Sequence, residues 1–266
     1  MLAPKAAVAA LLALLAPLAL VGAEDLQPWQ RPGNQAGEEV RGPNGHIMVW
    51  VPPGAFLMGS DDGTEDERPV HRVRISRGFW LSKFEVTISQ WLRYCREAQV
   101  LLRVDILAPA LDYPMSGVSW HDVKAYCDFY GLSMPTEAQW EWAARGPDGR
   151  KYPWGNYWDE TLCCNKANPG PEGFTCPVGA FAGDVSWCGA RDMAGNLAEW
   201  CLDWYAAGYY SSSPDTDPRG PESGEERVQR GGYCWADPED CRGARRSSDD
   251  PANDGGSGTA RPCYTP

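Results

Sequence analysis

A mixed fold of short strands and three helices, rich in loops through its second half, is what the sequence predicts. Three observations carry that expectation. Strand-like alternation fills the stretch after residue 46, capping boxes open three helical patterns between residues 87 and 146, and regular periodicity fades beyond Gly146. The composition agrees: 29 glycines, 23 prolines and 13 tryptophans imply many turns around aromatic packing and argue against a helical bundle. A mature chain of roughly 240 residues suits one elaborate domain or two small ones.

The N-terminus sets the compartment. Lys5 precedes the apolar run AAVAALLALLAPLALVGA, which ends in Val21, Gly22 and Ala23 before Glu24, so residues 1–23 read as a secretory signal peptide. The run is shorter than the ~20 apolar residues a membrane span needs, and Pro17 interrupts it. The run carries no cysteine, so a bacterial lipoprotein is not indicated. The expected location is secreted or periplasmic, with no membrane anchor after cleavage.

Residues 24–45 hold few apolar side chains and several breakers, and read as a flexible arm before a domain spanning 46–266. IMVWVPPGAFLMGS, two apolar runs parted by Pro52, Pro53 and Gly54, fits a β-hairpin. DDGTEDERP reads as a solvated acidic turn, VHRVRI as a half-buried strand, and FWLSKFEVT as its continuation. Thr87 with Gln90 caps a helix whose inner face carries Ile88, Trp91, Leu92 and Cys95. Ser119 with Asp122 caps a second, with Val123, Tyr126, Cys127 and Tyr130 along its stripe. A third opens at Pro135-Thr136, closes its box with Gln139, and stops at Gly146.

A formal net charge of −12 excludes nucleic acid and anionic membranes as partners, because counterion release needs clustered Lys and Arg. All ten cysteines follow the signal segment, an even number in an oxidising compartment, so disulfides are their default fate.

Several phrases then accumulate in order: VPPGAFLMGS, ERPVHRV, FEVTISQW, GVSWHDVKAYCDFYG, LSMPTEAQWEWAARG, YPWGN, PVGAF, DMAGNLAEWCLDWY and RVQRGG before an Arg-rich segment. Over about residues 46–263 the chain resembles the formylglycine-generating enzyme family, also called the sulfatase-modifying factor domain. The resemblance implies a single, irregular α+β domain, a variant of the C-type lectin fold, with metal sites that are often calcium. That family is functionally mixed. It holds copper-dependent oxidases that convert a sulfatase cysteine to formylglycine, iron-dependent sulfoxide synthases, a periplasmic pyoverdine-maturation protein, and ligand binders without known catalysis.

In the formylglycine-forming branch, the resemblance implies a Cys-x4-Cys pair after Gly-Gly-Ser that binds copper, as soft thiolates suit Cu(I). This chain has Tyr233 in place of that Ser, and its cysteines, Cys234 and Cys241, are spaced Cys-x6-Cys. Anchored on Arg246 and Pro251, the pattern puts Pro238 where the second cysteine belongs. Cys234–Cys241 therefore reads as a structural disulfide worth about 2 kcal/mol, with a catalytic or copper pair as the rival. The resemblance pairs Cys127 with Cys263, and Cys188 with Cys201 would staple the DMAGNLAEW loop. Cys95, Cys163, Cys164 and Cys176 leave three pairings open.

For metal, Asp192, Gly195, Asn196 and Glu199 offer hard oxygens around a tight turn, where the resemblance places a calcium; a hydrogen-bonded turn is the alternative. A second set, Asn165, Glu172 and Phe174, carries over from the family in the same way. Histidine is scarce, with only His46, His71 and His121; the strand His71 and the helix-start His121 read as surface or capping residues. Trp140, Trp142, Trp200 and Trp204 read as core. The stretch 233–258 mixes aromatic, Arg and small polar residues, and Tyr233, Trp235, Arg242, Arg245 and Arg246 read as its ligand-binding face. The resulting expectation is an exported family member acting as a lectin-like binding or accessory protein for a protein, peptide or small molecule. Copper-dependent formylglycine formation and a pyoverdine-type maturation oxidoreductase are the alternatives.

Overall fold

The computed structural model describes residues 26–102, 110–170 and 174–266; the expected signal peptide lies outside them. Ten strands and three helices are connected by long loops, an α+β arrangement. The first sheet has the antiparallel order β1 (Glu39–Arg41), β2 (Ile47–Val51), β5 (Phe79–Ser82), β10 (Cys263–Tyr264). β3 (Gly54–Met58) and β4 (His71–Ile75) form an antiparallel pair. The third sheet runs β8 (Ser247–Asp249), β7 (Arg227–Arg230), β6 (Ala198–Trp204), β9 (Gly258–Thr259), with β9 parallel to β6.

Two strand expectations change. The runs flanking Pro52 and Pro53 do not form a hairpin, since β2 joins the first sheet and β3 pairs with β4. Two consecutive residues without N–H donors cannot close a ladder, so the chain crosses between sheets there. The crossing is pinned by Trp142, whose Nε1 donates to the Pro52 carbonyl at 3.0 Å. The expected arm is docked, not loose. β1 pairs with β2, Trp29 meets Tyr264 edge-on at 4.8 Å, and Gly33 lies so close to Trp50 that an added Cβ would sit 2.5 Å from its ring. Its polar side chains concealed a segment held by backbone pairing and by glycines without bulk.

The helices start where the caps place them: α1 (Ile88–Ala98), α2 (Trp120–Phe129) and α3 (Glu137–Arg145), behind Thr87, Ser119 and Thr136. Thr136 Oγ1 accepts from the Gln139 amide at 3.2 Å while Gln139 Oε1 accepts from the Thr136 amide at 2.9 Å. α3 is buried along its length because it supplies carboxylates to the centre of the molecule. Glu137 and Glu141 take the Arg230 guanidinium at 2.8 and 2.5 Å, Arg246 also grips Glu137, and Arg145 closes on Glu141 at 2.6 Å. Replacing Thr136 by alanine should cost about 1 kcal/mol in urea denaturation, with an unchanged m-value, because one orphan amide loses its acceptor.

Trp140, Trp142 and Trp200 are buried as expected, and the half-buried Trp204 stacks under the Arg227 guanidinium at 3.4 Å. His46 is buried between Ser82 Oγ (3.0 Å) and Tyr126 Oη (2.7 Å), and burial lowers its pKa to about 3. The acidic turn is likewise only partly solvated: Glu67 is buried in a two-pronged bond with Arg242, both contacts at 2.6 Å.

Candidate functional site

The loops after α3 bring five cysteines into two adjoining clusters, and the adjacent residues Cys163 and Cys164 decide which cysteine goes where. Cys163 has extended backbone (φ −145°, ψ 167°), so consecutive side chains leave on opposite sides. Cys163 packs with Cys241, Tyr152, Ala194 and Ala236; Cys164 packs with Cys176, Cys234 and Phe181. The Cys163 thiol interacts with that of Cys241, and the Cys164 thiol with that of Cys176. These contacts, then burial, push the Cys163 and Cys164 thiols far up, while the contact with Cys164 lowers Cys176. Burial, with Cys176 nearby, raises Cys234 to about 11.

The Cys234–Cys241 staple expected from the sequence is therefore not made, and the same two sulfurs do not converge as a copper pair. Gly231 and Gly232 explain the parting. Both have positive φ (96° and 77°), and the turn they allow is tied to the 195–196 loop by Gly195 N–H to the Gly231 carbonyl at 2.7 Å. The Cys234 amide then donates to the Asn196 carbonyl at 2.9 Å, which commits Cys234 to the Cys164 side. All ten cysteines are thiols in the structure. Cys127 and Cys263, which the resemblance implied as a disulfide, are buried neighbours and both thiols. Cys188 is turned away from Cys201: its Sγ contacts Ser186 Oγ at 3.3 Å and the Ala143 carbonyl at 3.4 Å, so that bridge is not made either.

The calcium sets fare differently from their spacing. Asp192, Gly195, Asn196 and Glu199 share one turn, and its three polar side chains are hydrogen-bonded within the protein. Glu199 gives both oxygens to Arg261 at 2.7 Å each and one also to Trp140 Nε1 at 2.6 Å. Asn196 accepts from the Cys176 amide and donates to Glu85; Asp192 accepts from the Gly179 amide at 2.6 Å. The guanidinium of Arg261 sets a positive charge beside Glu199. Asn165 closes its own turn, accepting from the amides of Ala167 and Asn168, and the Phe174 carbonyl accepts from Gly170 N–H at 2.7 Å. Glu172 lies outside the described residues. Among the described residues no three His, Cys, Asp or Glu side chains are arranged to hold a metal.

Sequence reasoning missed the acids around that turn. Burial first, and then the charges of Asp192 and Glu199, raise Glu85 well above the carboxylate range. Asp184 is raised by burial and by Asp192; neither of its oxygens has a hydrogen-bond partner among the described residues, the Ala194 amide pointing toward it without meeting full hydrogen-bond geometry. Asp192 itself is pushed to about 6, chiefly by burial. Their polarity gave no hint of burial, and only the alternation around AEWCLDW could have suggested an inward face.

Of the five expected ligand-binding residues, two face outward as aromatics and two do not. Tyr233 and Trp235 are 39% and 50% exposed, and Trp235 meets the exposed Phe174 ring at 5.4 Å. Arg242 and Arg246 are buried: the first is spent on Glu67 and Glu239, the second on Glu137 and the faces of Tyr205 and Tyr210. A guanidinium beside an uncompensated buried carboxylate lowers the cost of burying both, which draws these arginines inward. Arg245 is partly exposed but bonded to Asp240 and Thr64. What remains exposed is an aromatic rim made by the Phe174–Trp235 contact with Tyr233 two residues along the chain, on the segments that also carry Cys176 and Cys234.

A family profile described as Sulfatase-modifying factor enzyme 1-like domain matches residues 34–257. The chain is 38% identical over 251 residues to the formylglycine-generating enzyme of Thermomonospora curvata, covering 70% of this chain and 81% of that one. It is 35% identical over 229 residues to the serine/threonine-protein kinase Pkn1 of Chlamydia trachomatis, covering 77% of this chain. The chain spans only about a third (36%) of that kinase's length. Among solved structures, PvdO from Pseudomonas aeruginosa superposes with a TM-score of 0.75 at 25% identity, covering 88% of this chain and 100% of that one.

Proposed function

Because the chain belongs to the sulfatase-modifying factor family while its Cys234 and Cys241 sit in separate clusters, we propose that it is a binding or accessory member of that family. It engages a protein, peptide or small-molecule ligand at the rim of Phe174, Tyr233 and Trp235, in a secreted or periplasmic setting. The parting of the two cysteines carries the reading. Cuprous ion held by two thiolates needs both sulfurs to face one shared space, and here one packs with Cys163 and the other with Cys164 and Cys176. Large aromatic surfaces left in water, Phe174 and Trp235 in contact and Tyr233 two residues from Trp235, suit recognition, since rigid rings bury much area at little entropic cost.

The test is incubation with a CxPxR-type sulfatase peptide, copper and dioxygen, followed by mass measurement. The peptide should keep its thiol mass; conversion to the formylglycine mass would overturn the proposal. A second reading, a maturation oxidoreductase, is favoured by the full coverage of PvdO at TM-score 0.75. Sustained oxygen uptake with exported peptide substrates, above the buffer rate, would promote it over binding.

A further inference from the structure

We infer that Cys163–Cys241 and Cys164–Cys176 are two disulfide-forming pairs built on one dipeptide, that Cys234 stays a buried thiol against the second pair, and that this second bond fixes Phe174 in the rim. The inference concerns covalent structure and stands whatever the rim binds.

Four observations support it. The extended backbone at Cys163 sends neighbouring side chains to opposite sides, so one short segment can reach two separate loops without competition between its sulfurs. Each sulfur packs in the same buried cluster as its partner's, Cys163 with Cys241 and Cys164 with Cys176, so that the two sulfurs of a pair lie together. All four are 5% exposed or less, so no bulk reductant reaches the bonds once they form. The third thiol of the second cluster is held back by its own backbone: the Cys234 amide is fixed on Asn196, whereas the segment 174–176 folds onto Cys164, with the Cys164 sulfur 3.5 Å from the Phe174 carbonyl.

The chemistry balances simply. Each pair gives two protons and two electrons to a disulfide donor of the oxidised-glutathione class, which leaves as two thiols, and one S–S bond forms per donor consumed. The geometric consequence reaches the rim. Phe174 lies two residues from Cys176 and packs on Trp235, so a bond from Cys176 to Cys164 clamps one of the three aromatic walls.

The experiment refolds the reduced, denatured full chain in oxidised and reduced glutathione, so that the disulfide donor meets the thiols before they are buried, then alkylates under denaturing conditions and maps the peptides. Cys163, Cys164, Cys176 and Cys241 should be blocked and Cys234 alkylated. Cys163 and Cys164 share a peptide, so variants assign the bonds: Cys241→Ser should free only Cys163, and Cys176→Ser only Cys164. Should either variant fail to fold, electron-transfer fragmentation of the wild-type three-peptide product, which cuts between residues 163 and 164, gives the same assignment. A link from Cys241 to Cys234 or Cys164, a link from Cys176 to Cys163, or alkylation of all four would overturn the pairing. Chymotryptic cleavage after Phe174 should be severalfold faster in Cys176→Ser than in the parent. An equal rate would overturn the clamp.

Discussion

Replacing Arg261 with methionine is expected to lower stability by about 3–5 kcal/mol, the usual consequence of leaving a buried carboxylate without its cation. The guanidinium is fully buried, and its donors are all used: two on Glu199, two on the carbonyls of Ser82 and Lys83, and contacts to the carbonyls of Arg191 and Asp192. Methionine fills similar volume but leaves Glu199 with only Trp140 Nε1 and takes a donor from four carbonyls, in a region that already contains Glu85, Asp184 and Asp192. Arg261→Lys keeps the charge and should still be clearly destabilising, because one ammonium cannot reach acceptors spread around a planar fork. Guanidinium denaturation at pH 7 checks both. A methionine variant within about 1 kcal/mol of the parent would mean that Glu199 takes up a proton at little cost.

The same residue shows what sequence can and cannot disclose. Thr87, Ser119 and Thr136 were legible as caps because a capping box is a local device, complete within four residues. The alternation of HRVRI was legible for the same reason, and the structure buries Val73 and Ile75 while exposing Arg72 and Arg74. Arg261, Arg242 and Arg246 look alike in sequence to any surface arginine. Their burial depends on Glu199, Glu67 and Glu137, which lie 62, 175 and 109 residues away. Cysteine pairing fails for a related reason: spacing between Cys234 and Cys241 measures contour length, whereas Gly231 and Gly232 redirect the chain and an extended Cys163 divides two loops. The adjacent cysteines were the overlooked clue, since neighbours in an extended segment cannot share one partner. The double proline was read as a turn, yet the missing donors that favour a turn also forbid the ladder beside it. The aromatic pair Tyr233 and Trp235 was found because large rings beside a loop cysteine have no helical or strand face to enter.

Asp203 should make the protein less stable as the solution becomes alkaline, and Asp203→Asn should remove that part of the loss. Burial, then the charge of Glu137, pushes its carboxyl to about 8, although Oδ2 accepts the Glu137 amide at 2.8 Å. An unfolded aspartate titrates near 3.9, so between about pH 4 and 8 the folded state holds one more proton than the unfolded chain. Stability from this group is complete below pH 4 and is lost as pH rises toward 8, at about 1.4 kcal/mol per unit. Asp192 acts with the same sign, over a window ending at about 6. His46, lowered to about 3, has the opposite sign: its contribution is lost as pH falls below about 6.5. Glu137 and Glu67, both lowered, also lose theirs on acidification, below the ordinary carboxylate range. The pH profile of the parent therefore mixes several groups, and the informative quantity is the difference between parent and variant. Asparagine keeps an oxygen for the Glu137 amide and carries no charge at any pH. The variant should gain on the parent steadily between pH 5 and 7, reach an advantage of a few kcal/mol, and hold it above pH 8. A difference that is flat with pH in urea denaturation would mean that Asp203 is ionised in the folded protein, with water or a cation beside it.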